Sequence, residues 1–198
     1  LATPHIYGSM NVTYGVSSDM QAAFLKGDLR ADLYVKTVMG MGIPAKWLGS
    51  FTDLGGFNFR VSEAYLNRAE AYAAKDMDAE AYADVKKLVE NRVKDMSVIS
   101  IPSKGVDLKR FIFNERRREL CYEGHRWYDL KRTKLFAKQI DHKFTLVNST
   151  GGITGTEIYM LSPNDPNYVY PIPQGEMDRN GAMEQNGRVD KLPIKEDY

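Results

Sequence analysis

RVSEAYLNRAEAYAAKDMDAEAYADVKKLVENRVKDM, Arg60 to Met96, decides the fold. It contains two amphipathic patterns with a short break between them. In the first, Arg60 to Lys75, Val61, Ala64, Tyr65, Ala69 and Tyr72 recur at helical spacing. Ala69, Ala71, Ala73 and Ala74 are small enough to let a neighbouring helix approach. In the second, Asp76 to Met96, Ala81, Val85, Leu88, Val89 and Val93 repeat at three and four. So short a break predicts an antiparallel helical hairpin. Its length is that of one tetratricopeptide unit, and no second copy is visible in the chain.

The flanking sequence is less regular. SDMQAAFLKGDLRADLYV (Ser17 to Val35) opens like a helix capped by Ser17 or Ser18, and Gly27 interrupts it. Gly40 to Phe59 is rich in glycine and reads as a long loop or short strands. Beyond the hairpin, Asp107 is placed to cap a third helix running to about Glu123. Gly124 stops it, and a shorter helix follows from His125 to about Lys134. His142 to Leu161 reads as a β-hairpin around Ser-Thr-Gly-Gly. Ser162 to Asn186 is dense in turn residues and is expected to lie over the helices, anchored by Tyr168, Tyr170 and Ile172. The polar last twelve residues are expected to be mobile. The predicted fold is therefore mainly α: a tetratricopeptide-like helix hairpin plus further helices, with loop-rich segments and a small β-hairpin. Residues 1–59 are loop-rich, 60–134 helical, and 135–198 form the hairpin and an extended tail.

Composition excludes several functions. The chain has 198 residues, 43% hydrophobic and 27% charged, with a formal net charge of +1. Such a balance gives no global attraction to nucleic acid or an anionic membrane. A single cysteine rules out an internal disulfide and a cysteine-based metal site. His5, His125 and His142 are scattered, so no metal centre is expected. Asn164, Asp165 and Asn167 suggest calcium weakly and a turn more strongly, given the prolines among them.

The most conspicuous charged stretch is ERRRELCYEGHRWYDLKR, Glu115 to Arg132. The apolar stripe Leu108, Phe111, Ile112, continued at the same spacing, reaches Glu115, Glu119 and Tyr122 or Glu123. Two carboxylates one turn apart have about the 5–6 Å separation of a retaining glycosidase. Flanking arginines, however, push a carboxylate pKa down, whereas a general acid needs it raised. Arg116, Arg117 and Arg118 fan across about 200° of the helix and cannot share one phosphate. The remaining reading is an internal ion network of Glu115, Arg116, Arg118, Glu119, Arg126 and Arg132, with Trp127 and Leu130 sealing the joint. No catalytic residue and no cofactor are expected.

RVSEAYLNRAEAYA, then ERRRELCYEGHRWYDLKR, then YPIPQGEMDRNGAMEQN, in that order, resemble the C-terminal part of the SusD/RagB family. GDLRAD, Gly27 to Asp32, resembles that family's Gly-Asp-x-Arg stretch. One departure is visible: Gln185-Asn186 is followed by Gly187-Arg188, where the family often has Pro-Gly and an aromatic. The resemblance implies a fragment of a longer, lipid-anchored outer-membrane protein at the cell surface of Bacteroidetes-type bacteria. It implies a non-catalytic subunit that binds a glycan or other nutrient and partners a TonB-dependent transporter. Cys121 lies mid-helix and is not the lipidated residue. Exposed aromatics flanked by polar groups suit sugar rings. Trp47, in the glycine-rich segment, and Tyr14, in the opening one, are the candidate ligand contacts. A helical interaction scaffold without a small ligand, and a glycoside hydrolase, are the alternatives.

Overall fold

The computed structural model describes residues 15–38, 41–46, 60–134, 140–147 and 152–197. The chain divides into two compact units, Leu1–Tyr128 and Asp129–Tyr198. The division falls inside a helix rather than at residues 134/135, where the sequence pattern changes.

The first unit is built on the helical hairpin. Helix α3 (Val61–Ala74) and helix α4 (Asp78–Glu90) pack together, and α5 (Gly105–Glu119) packs on both. The turn between α3 and α4 follows from the backbone. Asp76 adopts φ 56°. Its N–H donates to the Ala73 carbonyl, and the Met77 N–H donates to that of Tyr72 at 3.0 Å. This is a Schellman closure, which satisfies carbonyls that the helix end leaves free. The core joins Ala69, Ala73, Ala81, Val85, Val89, Val93, Leu108 and Ile112. All five positions expected inside, Ala81, Val85, Leu88 and Val89 on α4 and Val93 just beyond it, are inside. On α3 the buried stripe is Ser62, Leu66, Ala69 and Ala73, not the one anchored by Val61, which is 74% exposed. Ala69 belongs to both stripes; Leu66 and Ala73 go fully inside, while Tyr65 and Tyr72, each with a polar tip, stay half-buried.

Short elements precede the hairpin. Ser17 caps only a single turn, α1 (Ser18–Gln21), its Oγ accepting from the Met20 N–H at 3.2 Å. Gly27 then takes φ 72°, a left-handed conformation that a glycine adopts freely, and the chain restarts. Asp28 caps α2 (Leu29–Tyr34), which runs into an antiparallel pair, β1 (Val35–Val38) and β2 (Met41–Pro44). Helix α4 ends at Glu90, earlier than its apolar pattern suggests. An isolated antiparallel bridge pairs Asp28 with Val93. In it Leu29 N–H donates to the Arg92 carbonyl at 2.8 Å, and Lys94 N–H donates to that of Gly27 at 3.0 Å. Long-range pairing has replaced a last helical turn. Asp107 does not cap α5: Lys104 holds the cap position, and Asp107 lies in the first turn. Gly124, at φ 80°, separates α5 from α6 (His125–Thr133).

In the second unit, β3 (Ile140–Val147) and β4 (Ile153–Leu161) form the expected hairpin, with Phe144 opposite Glu157. The turn residues Ser149 and Thr150 lie outside the described residues. The tail is not a mobile end here: β5 (Ile194–Asp197) adds a third strand, Ile194 opposite Ile158. Between them run a 3-10 turn, Pro166–Tyr168, and α7 (Gln174–Arg179). Of the three expected anchors, Tyr168 is buried and Tyr170 is exposed, while Ile172 is intermediate.

Candidate functional site

The first part of the arginine-rich motif, Glu115 to Glu123, folds onto the interior of the first unit. Helical spacing carries the Leu108–Ile112 stripe straight to Glu115 and Glu119, and both carboxylates are fully buried. What receives them is GDLRAD. Arg30, also buried, donates through Nη1 to Glu115 Oε1 at 2.6 Å and to Glu119 Oε2 at 2.9 Å. Its other guanidinium face grips Asp28: Nε to Oδ1 at 2.9 Å and Nη2 to Oδ2 at 2.8 Å. Asp28 Oδ1 also caps α2 by accepting from the Arg30 N–H at 3.0 Å. One aspartate therefore starts the helix and aims the arginine.

Further cations close the ring. Arg92, placed by the bridge that ends α4, makes a two-pronged pair with Glu119, both distances 2.9 Å. Arg118 Nε donates to Glu115 Oε2 at 2.8 Å, and its Nη1 donates to the Ala23 carbonyl at 3.1 Å. Every carboxylate oxygen of Glu115 and Glu119 thus accepts from a guanidinium. At the α5 C-terminus, Lys46 Nζ donates to the Glu119 carbonyl at 2.5 Å and pairs with Glu123. Arg60 Nη2 donates to Glu123 Oε1 at 2.5 Å. Cations at this end complement the helix dipole. Lys46 also lies over the Tyr34 ring, 4.4 Å from its centroid.

The electrostatics follow from this geometry. Burial alone would raise the Glu119 pKa, but the hydrogen bonds and charge of Arg92, with Arg30 behind them, outweigh it and hold it at about 2. Burial opposes charge on Arg30, yet Asp28 and Glu115 raise its pKa above the ordinary arginine value. Burial pushes the Cys121 thiol up to about 11, so it is not a thiolate nucleophile at neutral pH. A carboxylate that stays ionised and is fully engaged by arginines can neither donate a proton nor attack a sugar carbon.

The residues named from sequence are distributed unevenly. Glu115, Arg118 and Glu119 share the buried ring. Arg116 points elsewhere, its Nη1 donating to Asn67 Oδ1 at 2.5 Å with Glu63 at 3.8 Å. The Arg126 guanidinium lies 4.8 Å from the Phe113 ring centroid. Arg132 pairs with Asp129 of its own helix at 2.8 Å. Trp127 is half-buried, and Leu130 is buried. Trp47 and Tyr14 lie outside the described residues. Sequence reasoning passed over Asp28, Arg30, Lys46, Arg60 and Arg92. The available signal was charge demand: two carboxylates on a core stripe need cations from distant segments, and GDLRAD supplies one. Asp165 accepts from the Asn167 N–H at 2.9 Å and from Lys191 Nζ at 2.5 Å, so a turn and a lysine occupy it. Among the described residues, no group of His, Cys, Asp and Glu is placed to hold a metal ion.

These features define a class: a helical-hairpin protein with a sealed ionic core and a separate small sheet. The sequence model of the SusD family matches residues 44–188, and the chain belongs to that family. It is 29% identical over 143 residues to the SusD-like protein P38 of Formosa agariphila, covering 66% of this chain and 27% of that relative. The fold is similar to a SusD-like carbohydrate binding protein of Bacteroides vulgatus, with TM-score 0.57 and 22% identity. That likeness covers 85% of this chain and 40% of the other. A second Bacteroides vulgatus protein, proposed to bind sugar, gives TM-score 0.59 and 24% identity over 88% of this chain and 39% of its own. The chain thus spans well under half the length of each of these proteins. No helix among the described residues is long and apolar enough to cross a membrane.

Proposed function

We propose that the chain is the C-terminal part of a non-catalytic, cell-surface subunit that binds a glycan or other nutrient for a TonB-dependent transporter. A lipid anchor on the full-length protein would hold it at the outer membrane. The observation that carries this reading is membership of the SusD family across residues 44–188. The names of the similar Bacteroides vulgatus proteins point to carbohydrate as the ligand class. The sealed state of Glu115 and Glu119 supports binding over hydrolysis, because this carboxylate pair is committed to arginines. In this reading that network is structural, and Trp47 and Tyr14 stand as candidate ligand contacts. Affinity electrophoresis of the full-length protein through gels containing soluble polysaccharides tests it. At least one polysaccharide should retard the protein without being shortened. Retardation by none, with no transporter co-purifying from outer membranes, overturns the reading. Glycan cleavage lost in Glu115→Gln would replace it with a hydrolase.

A further inference from the structure

Strands β3 and β4 of the second unit carry an aromatic cluster that the network argument leaves unused. On an antiparallel sheet, residues directly opposite each other share a face, and so do residues two apart along a strand. Phe144 on β3 stands opposite Glu157 on β4, which stands opposite Lys195 on β5. His142, two residues before Phe144, stands opposite Tyr159. All five side chains therefore project from one face. The His142 and Phe144 rings meet edge to face with centroids 4.5 Å apart, and Phe144 and Tyr159 meet likewise at 5.6 Å. Phe144 nonetheless keeps 44% of its surface exposed. Edge-to-face neighbours fix a ring's orientation, so the exposed part is a rigid apolar plate.

The polar surroundings are ordered in the same way. The Tyr159 hydroxyl donates to Glu157 Oε2 at 3.3 Å, and Lys195 Nζ lies 3.5 Å from Glu157 Oε1. The carboxylate and ammonium offset each other, so the rim is polar without a net field for ions. They still offer acceptors and donors in one row beside the ring. Strand spacing sets that row at roughly 10 Å across three strands.

We propose that this face is a binding site for a neutral saccharide. The C–H face of a sugar ring stacks on Phe144, and its hydroxyl edge lies over Glu157 and Lys195, with Tyr159 and His142 holding the plate. The chemistry selects the class: an apolar plate beside paired, mutually neutralised polar groups matches a ring that is apolar on its faces and hydroxylated at its edge. A uronate or phosphate gains nothing from a rim already neutral. This inference rests on the proposed glycan-binding role and assigns that role a place.

The test uses the full-length protein in affinity gels containing amylopectin, xylan, laminarin, galactomannan or alginate. The protein and Phe144→Ala are compared, with Leu192→Ala as an exposed apolar control. The expected result is retardation by at least one neutral polysaccharide, weakened about tenfold or more in Phe144→Ala and unchanged in Leu192→Ala. Phe144→Tyr, which keeps the plate, should retain binding. Equal retardation of Phe144→Ala and the unaltered protein overturns this site and leaves the glycan-binding role standing. Retardation by none overturns both, and retardation by alginate alone overturns the neutral-ligand assignment. A measurement needing no variant is ring-proton NMR of the unaltered protein titrated with the matching oligosaccharide. Shifts at Phe144 and Tyr159 are expected, and their absence on saturation overturns the site whatever the variants do.

Discussion

Glu119 is the residue on which most of the ion network converges, and its partners show why the motif around it is so heavily charged. A buried carboxylate without cations is costly, and a cation without a carboxylate is equally so. Removing one member leaves the others stranded. Glu119→Gln strands Arg92 and part of Arg30; Arg30→Met strands Asp28 and takes one cation from each of Glu115 and Glu119. Each substitution should cost about 3–5 kcal/mol, read as a lower urea midpoint at unchanged slope. A change within about half a kcal/mol would place these groups in water instead. Arg132→Ala should be milder, since that side chain is 43% exposed. Helical arithmetic alone made the inward placement of Glu115 and Glu119 readable from sequence. The identity of the main partner was not, because Arg30 lies 85 residues from Glu115 and no local spacing links them.

At the scale of elements, legibility tracked how far the deciding interaction reaches. Helix α4 carries Ala81, Val85, Leu88 and Val89 in one stripe, and that stripe is buried in the core. Helix α3 offers two faces of similar hydrophobicity, and the choice between them was made by the closeness that Leu66, Ala69 and Ala73 permit, a property of the pair. The early end of α4 and the strand β5 are also long-range choices, each made where an unpaired backbone met another segment. The tail illustrates the second case. Asn167 Nδ2 donates to the Val189 carbonyl at 2.7 Å, and the Val189 N–H donates to Asn167 Oδ1 at 3.0 Å. Gln185 does the same for Ile172, accepting from its N–H at 2.7 Å and donating to its carbonyl at 2.9 Å. Amide side chains thus stand in for strand partners along the segment that leads to β5. Asn167→Ala removes both bonds at a buried position and should cost about 1–3 kcal/mol. Hydrogen exchange checks it: amides of β5 should lose protection while those of α3 to α5 keep theirs. Unchanged exchange at Ile194 to Glu196 would show that β4 holds the strand unaided.

For the whole molecule, the net charge of +1 conceals how unevenly charge is stored. Much of it is locked inside the first unit as paired groups, and the protein's response to acid follows. The Glu119 pKa is about 2 in the folded chain against an ordinary 4.5. Because the folded value is the lower one, the unfolded chain takes up the proton first as pH falls. The stabilisation is therefore complete above about pH 4.5 and disappears on the way down to about pH 2, with a size of about 3 kcal/mol. Urea midpoints measured at pH 7, 5.5, 3 and 2 should be nearly flat over the first interval and fall over the others. Glu119→Gln, which has no proton to gain, should begin lower and fall less steeply over the same range. An equal slope in both proteins would trace the acid sensitivity to other carboxylates. Added salt discriminates further, because a sealed network is screened far less than exposed pairs such as Arg179 with Glu176. The acid-dependent part of the unaltered protein's stability should therefore persist at high ionic strength.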